Sequence, residues 1–461
     1  MRSLILSFRL VFPIVAALVT GCSPEATPSA GAPTFHKDIE PLLQKSCLSC
    51  HAEGGAAPVS LSSYASAEAL APLIAEETAA RRMPPWGALP TDECAPPRPF
   101  RGDLHLSLDE IAMLRAWSDA GAPEGDPADA PAPYTPVARG LSRTDIELAP
   151  RMPFSAAEGP DQFRCFVLDP GLTKAAWVQG YDVLPGNSEV VHHALLYIDA
   201  RRESEALGGE SGSYECFGGV RLSEATLLGG WAPGTEAFEL PPDIGIALPA
   251  DALIVMQVHY HPRPGEEPSP DATRVALRLS DGKPPRALQS VLLGNAEAPF
   301  ANGGGLLPGP GDRGSVEFRI PADARGHVER MRFTLDLPIP EVSIYGAGVH
   351  MHRAGVDVKV EQIHADPREA GGESTCLVQT PAWDFNWQRI YSYDAPIDEL
   401  PKLRSGDRID LRCTYDNTRD NPALAAQLVE ERLPAPRDIA LGESTLDEMC
   451  VAFLPIVHPN L

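Results

Sequence analysis

Basic residues are scarce in this chain: 38 Lys and Arg stand against 63 Asp and Glu, a formal charge of -25 over 461 residues. Such a balance repels nucleic acid and argues against a polybasic membrane contact, so partners should be neutral, cationic or metallic. Past the N-terminal stretch there is no run of about 18 unbroken apolar residues, which excludes a later helical membrane span. No repeat of fixed period occurs, which excludes a solenoid or propeller array. What the chain has in excess is proline, 48 residues, about twice the usual 5% share. With plentiful glycine this favours turn-rich β domains over a helical protein, and the length predicts about three domains.

The first residues read as a targeting signal. Arg2 and Arg9 supply a positive region, Leu10 to Val19 an apolar run, and Val19-Thr20-Gly21-Cys22 a small-residue cleavage pattern ending in cysteine. Residues 1–22 resemble a bacterial lipoprotein signal, with Cys22 as the lipidated residue; the alternative is an ordinary secretory signal with an incidental cysteine. Either one exports the chain, and membrane contact would be by the lipid anchor only. By the same resemblance Ser23, in place of Asp, points to the outer membrane, on its periplasmic or outer face. Export means an oxidising compartment, in which Cys94, Cys165, Cys216, Cys376, Cys413 and Cys450 can pair, although sequence alone does not fix their connectivity.

Residues 23–33, rich in Pro, Ala, Ser and Gly, read as a flexible tether. Phe35, Ile39, Leu42, Leu43 and Cys47 then recur at helical spacing and lead into Cys47-Leu48-Ser49-Cys50-His51. Cys-x-x-Cys-His is the c-type haem attachment sequence, in which two thiols form thioethers to the vinyl groups and the histidine becomes the proximal iron ligand. No second Cys-x-x-Cys follows, against a zinc site, and no βαβ pattern surrounds it, against a redox dithiol. For a sixth ligand the candidate is Met83, held in Arg81-Arg82-Met83-Pro84-Pro85-Trp86 by two stiff prolines, with Met113 and His105 as competitors. Ser107-Leu108-Asp109-Glu110 is a capping box, and Ile111, Leu114 and Trp117 line one face of the helix it opens, which Gly121 ends. Residues 34–123 resemble a small all-α cytochrome c domain, and residues 124–140, with four prolines, read as a linker.

Beyond the linker the period becomes that of strands. Alternating or apolar runs at Val190–Ile198, Leu253–Tyr260, Gly314–Ile320, Met331–Leu337, Gly355–Ile363, Ile409–Tyr415 and Met449–Val457 are separated by Gly/Pro/Asp turns. This predicts two all-β antiparallel sandwich domains, with boundaries at 141–285 and 286–461. Four signals stand out in them: His192-His193, Gln257-Val258-His259-Tyr260-His261, His350-Met351-His352, and Asp447-Glu448-Met449-Cys450. Residues two apart on a strand share a face, so His350 and His352 can close on one ion. His192 and His193 are neighbours and can do so only at a bulge or strand end, or through different ring nitrogens.

Taken together and in this order, with Cys413-Thr414-Tyr415, these motifs resemble the copper type II, ascorbate-dependent monooxygenases, the family of peptidylglycine α-hydroxylating and dopamine β-monooxygenases; the likeness spans about 141 to 461. It implies jelly-roll-like domains, one copper on His192, His193 and His259, and another on His350, His352 and Met449, the latter being the catalytic set. The ligand chemistry agrees: imidazole suits both copper oxidation states and a thioether favours Cu(I), whereas zinc would not explain the methionine. The resemblance also implies an open cleft between the two coppers, a Cys413–Cys450 disulfide, and Met449 and Cys450 on opposite faces of one strand. Cys165–Cys216 is a second candidate disulfide.

The function so implied is hydroxylation of a C–H bond of a small organic substrate by O2. Its electrons would come from ascorbate or another reductant, from a redox donor protein, or through the attached haem. The alternative is a non-catalytic haem/copper redox or copper-binding lipoprotein. One departure is specific: peptide-amidating members grip a substrate carboxylate with an arginine where this chain has Gly348, which argues against a glycine-extended peptide. His261 shares a strand face with His259 and is either a substitute ligand or its support. His36, His105, His327, His364 and His458 read as solvated or structural.

Overall fold

A computed structural model describes residues 31–460 except 56, 136–139, 158–160, 218, 233–234, 262–269, 336 and 445. The signal with Cys22, most of the tether and part of the linker lie outside the described residues. No helix among the described residues is long and apolar enough to cross a membrane.

The segment around the Cys-x-x-Cys-His motif is helical, through short helices such as Glu40–Ser46, Leu48–His51, Ala71–Ala79 and Leu108–Asp119. Their apolar faces bury Phe35, Ile39, Leu43, Leu114 and Trp117 in a core separate from that of the sheets. The capping box forms: Ser107 Oγ accepts from the Glu110 N–H at 3.2 Å while Glu110 Oε2 accepts from the Ser107 N–H at 2.7 Å. These bonds satisfy donors that the first turn would otherwise leave unpaired.

Residues 84 to 104 do not pack into that helical core. Trp86, Ala88 and Phe100 join the β core, and Phe100 stacks on Tyr393 with centroids 5.3 Å apart. Cys94 is disulfide-bonded to Cys376, 282 residues later, and Thr91 Oγ1 donates to Gln379 at 2.7 Å. The segment is apolar where it touches the sheet, and the covalent bond holds it there.

From Ile146 onward the chain is mostly sheet. One five-stranded antiparallel sheet runs Ser213–Glu215, Gln162–Leu168, Leu253–Tyr260, Val191–Asp199, Thr226–Trp231, in that spatial order. A second runs Gly305–Leu306, Arg325–Thr334, Arg408–Asp416, Gly355–Ile363, Ser374–Thr380. A further, 11-stranded sheet continues through both halves, joined where Ile244–Leu248 pairs in parallel with Arg286–Gly294. The arrangement agrees with β sandwiches, and side chains from both halves fill one apolar core that includes Met256, Tyr260, Val349, Val360 and Leu454. Cys165 is bonded to Cys216 and Cys413 to Cys450, fixing one strand in each half.

Two expected strands begin later than their apolar pattern. Of Gly314–Ile320 only Arg319–Ile320 pairs, because Asp312 Oδ1 takes the Glu317 N–H at 3.1 Å and Asp312 Oδ2 takes that of Gly309 at 3.1 Å, where a ladder would otherwise use them. The final strand begins at Val451, so Met449 and Cys450 are not on it. Their backbone groups bond side chains: Glu448 Oε2 and Asn295 Oδ1 accept from the Met449 and Cys450 N–H groups, and the Tyr415 hydroxyl donates to the Met449 carbonyl at 2.7 Å. The helix Pro422–Glu430 was not expected. Asn421 caps it, accepting from the Ala423 N–H at 3.0 Å, with Pro422 at its first position.

Candidate functional site

The strand Leu253–Tyr260 lies at the centre of its sheet and is buried along its whole length, so His259 is held in a fixed frame. Its neighbour Val191–Asp199 pairs His193 with His259 and Val191 with Tyr260, which leaves His192 as the extra residue of a bulge. A bulge turns two adjacent side chains to one side. The condition under which His192 and His193 can meet one ion is therefore met.

Three Nδ1 atoms converge. His192 Nδ1 stands 3.1 Å from His193 Nδ1, and His259 Nδ1 stands 3.4 Å from His193 Nδ1. The group fits within 4.8 Å, as one metal ion requires. Asp161 sits behind it: Oδ2 makes an ion-pair contact of 3.1 Å with His259 Nε2, and Oδ1 hydrogen-bonds His261 Nδ1 at 2.6 Å. The negative carboxylate beside the ring favours the tautomer with its proton on His259 Nε2, although the contact lacks hydrogen-bond geometry. His261 thus supports His259 through Asp161. Phe163 stacks on the His259 ring at 4.4 Å and 6°.

The strand Gly346–His350 ends on His350, and His352 lies just beyond it, so the second pair is not held on one strand face as the sequence pattern led one to expect. His350 and His352 are edge to face, 5.2 Å between centroids. His350 Nδ1 bonds Gln388 Oε1 at 2.7 Å, and that amide is oriented because its Nε2 donates to the Phe385 carbonyl at 2.8 Å. His352 Nδ1 donates to the Asp447 carbonyl at 3.0 Å. Both rings therefore keep Nε2 as the free lone pair, the opposite nitrogen from the first cluster. Met449 follows at once after the residues that hold His352, and lines the same cavity as both histidines.

Electrostatics suit ligation. Burial pushes His192 down to about 3, with the neighbouring His259 adding to it. Burial likewise lowers His193 well below its ordinary value, His350 to about 4 and His352 to about 3. These imidazoles stay neutral at ordinary pH, the state that binds metals. The donor sets fit the copper ions implied by the sequence: three imidazoles, and two imidazoles beside a thioether.

The clusters face each other closely. His193 and His350 have centroids 6.5 Å apart, and Phe385 stacks on His192 at 4.9 Å while lying edge-on to His352 at 6.0 Å. The expected open cleft is closed at this point, because the Phe385 ring and the continuous sheet bring the halves together. Gly348 has its own explanation. A Cβ there would stand 2.9 Å from Ile390 Cγ1 and 3.2 Å from Ile390 Cα, because the strand Ile390–Ser392 pairs directly against it.

A cavity of about 1120 Å³ is lined by His193, His259, His350, His352 and Met449, and also by Leu48, Cys50 and Gly54 of the helical segment. Cys47 and Cys50 are not disulfide-bonded, and burial pushes the Cys47 thiol up to about 12. His51 donates from Nδ1 to the Val59 carbonyl at 2.9 Å, which leaves Nε2 as the free ligand nitrogen. That tautomer and two free thiols fit a covalently held haem. Met83 lies elsewhere, lining a cavity of about 20 Å³ with His105, Leu106 and Ile111. The structure does not bring it together with Cys50 in one cavity. Asp161, Gln388, Phe385 and Glu448 were not singled out from the sequence: only the adjacency of Glu448 to Met449 gave any signal.

Comparison with known proteins bears on the β part. Residues 322–458 match the family model described as "Copper type II ascorbate-dependent monooxygenase, C-terminal domain". The chain is similar to "DBH-like monooxygenase protein 1" of Homo sapiens, 26% identical over 60% of this chain and 40% of that protein. It is similar also to the proteins of that name from Mus musculus, 24% identical, and Gallus gallus, 22% identical, with the same coverage. The chain thus spans about 40% of the length of these curated relatives. Among solved structures, the major capsid protein P2 from Bacteriophage PM2 aligns with 68% of this chain and 97% of its own at 8% identity, with a TM-score of 0.23, too low to indicate a shared fold. These likenesses support a monooxygenase-like, copper type II character for the β part.

Proposed function

We propose that this chain is a copper-dependent monooxygenase that hydroxylates a C–H bond of a small organic substrate with O2. One observation carries the reading: a cluster of three convergent imidazole Nδ1 atoms faces, across one cavity, two imidazoles with free Nε2 atoms and a thioether, Met449. The first copper would be held by His192, His193 and His259, and the second by His350, His352 and Met449. Copper in these places would supply one-electron transfer and O2 activation, and haem c on Cys47, Cys50 and His51 one-electron delivery.

The residues do the rest. Gln388 fixes which nitrogen of His350 is free, the Asp161 charge favours Nδ1 of His259 as the free one, and burial keeps His192, His193, His350 and His352 unprotonated. Phe163, Phe385 and Val349 contribute apolar surface to the cavity, which suits an apolar part of a substrate. Hydroxylation consumes O2, two electrons and two protons for each C–OH and water formed. The sharing of one cavity by Cys50 and the histidine clusters supports delivery of those electrons through the haem, with ascorbate or another reductant, or a donor protein, as their source. We place Met83 as the sixth iron ligand on the sequence pattern alone. Cys22 would anchor the exported chain by lipid to the cell envelope.

Three measurements test this. Purified protein should carry two copper ions and one covalent haem. Oxygen uptake with reductant and a panel of small benzylic compounds should vanish in Met449→Ala and His350→Ala; persistence in both refutes the assignment. On mixing the reduced protein with O2, the haem should reoxidise with the copper, and a haem that stays reduced through many turnovers excludes that route.

A further inference from the structure

Glu448 is the side chain that the reaction scheme leaves unused, and it is 1% exposed. Burying a carboxylate is costly unless its oxygens are satisfied. Here each oxygen accepts twice. Oε2 takes the His352 N–H at 2.7 Å and the Met449 N–H at 3.1 Å. Oε1 takes the Ala354 N–H at 2.7 Å and the Gly355 N–H at 3.2 Å. The backbone of Glu448 is itself anchored, its N–H donating to the Ala440 carbonyl at 3.0 Å and its carbonyl accepting from the Gly442 N–H at 3.1 Å.

We propose that Glu448 is the positioning residue of the thioether-bearing metal cluster, setting the distance between the His352 ring and the Met449 sulfur. The proposal rests on reading that cluster as a copper site. His352 and Glu448 are 96 residues apart in sequence, and each arrives on a segment that is not a strand at that point. No ladder therefore holds His352 against Met449. The other ties nearby, from His352 Nδ1 to the Asp447 carbonyl and from the Tyr415 hydroxyl to the Met449 carbonyl, each reach one ligand residue only. The Glu448 carboxylate reaches both through a single oxygen. A weak thioether donor is the ligand most easily lost when geometry loosens, so the effect should fall on the copper–sulfur bond first.

Glu448→Gln has the same shape, but one oxygen becomes an NH2 that faces two N–H donors, so one of the two bonded pairs must break. The full-length protein is loaded with copper, reduced, and read by copper K-edge X-ray absorption and by chelator competition. Wild type should show one sulfur scatterer for two coppers. Glu448→Gln should lose the sulfur component and weaken the second copper 10- to 100-fold, while the copper of the three-histidine cluster stays. Glu448→Asp, one methylene shorter, should keep the sulfur with a smaller loss of affinity. A folded Glu448→Gln with wild-type sulfur scattering and affinity overturns the proposal. If that variant does not fold, wild-type affinity in Glu448→Asp overturns it instead. Wild-type protein without sulfur scattering overturns the copper reading of the cluster, and this proposal with it.

Discussion

Replacing Phe385 by alanine should both destabilise the β part and loosen the spacing of the two histidine clusters. The ring is 6% exposed, stacks on His192 at 4.9 Å and 21°, lies edge-on to His352 at 6.0 Å, and has the Arg353 guanidinium 5.6 Å from its centre. Truncation of a buried phenylalanine costs about 3–5 kcal/mol. Because the ring borders an existing cavity that water can enter, the lower end applies. A lost ring pair accounts for about 0.5–1.5 kcal/mol of it. Calorimetry on the metal-free protein should show the β transition several degrees lower. Pulsed EPR on the copper-loaded protein should show a longer and broader metal–metal distance. Phe385→Leu, which keeps volume without the stack, should recover most of the stability and little of the distance. If Phe385→Ala leaves both the transition and the distance unchanged, the ring does not hold the halves together and the closed approach of His193 to His350 has another cause.

Gly348→Arg should not create a carboxylate grip: its Cβ meets Ile390, so the variant should lose about 1–3 kcal/mol and bind a glycine-extended peptide no better than wild type, as calorimetric titration would check. Asp161→Asn removes the negative charge and replaces one of the two oxygens behind His259 and His261 by an NH2 donor, and should weaken metal binding at the three-histidine cluster about 10- to 100-fold, measured by chelator competition; unchanged affinity would contradict the role given to Asp161. The metal-free protein should lose stability as pH falls below the ordinary imidazole value of 6.5, because His192, His350 and His352, lowered to about 3, 4 and 3, take up protons only on unfolding. Each contributes a loss of about 2 kcal/mol at pH 5. Burial pushes Glu448 up, in the opposing direction, but the four N–H donors on its oxygens favour the carboxylate, so it offsets only part of that loss. The net is a fall, and a melting temperature that stays level from pH 7 to 5 would contradict it.

Where a property depends on neighbours in sequence, the chain was legible. The strands Leu253–Tyr260 and Gly355–Ile363 have the bounds that their apolar patterns set, and the capping box at Ser107 forms. The bulge at His192 was readable as a condition, since two adjacent histidines cannot otherwise share an ion. The supports behind the ligands were not legible. Asp161, Gln388 and Phe385 lie in connections with no periodicity, and meet the histidines only because distant strands bring them there. Met449 reads as strand from its apolar context, yet side-chain acceptors and donors take its backbone bonds. The pairing of Cys94 with Cys376 likewise depends on residues 84 to 104 docking on a sheet that begins later in the chain.

That bond has a consequence for the molecule as a physical object. Cys94 and Cys376, 282 positions apart, close a covalent ring that contains the proline-rich stretch 124–140. A single proteolytic cut in that stretch opens the ring without dividing the molecule. The piece carrying Cys47, Cys50 and His51 would remain attached to the piece carrying His350, His352 and Met449, and run with it on a non-reducing gel. In an oxidising compartment, separating the two takes both a nick and a reductant.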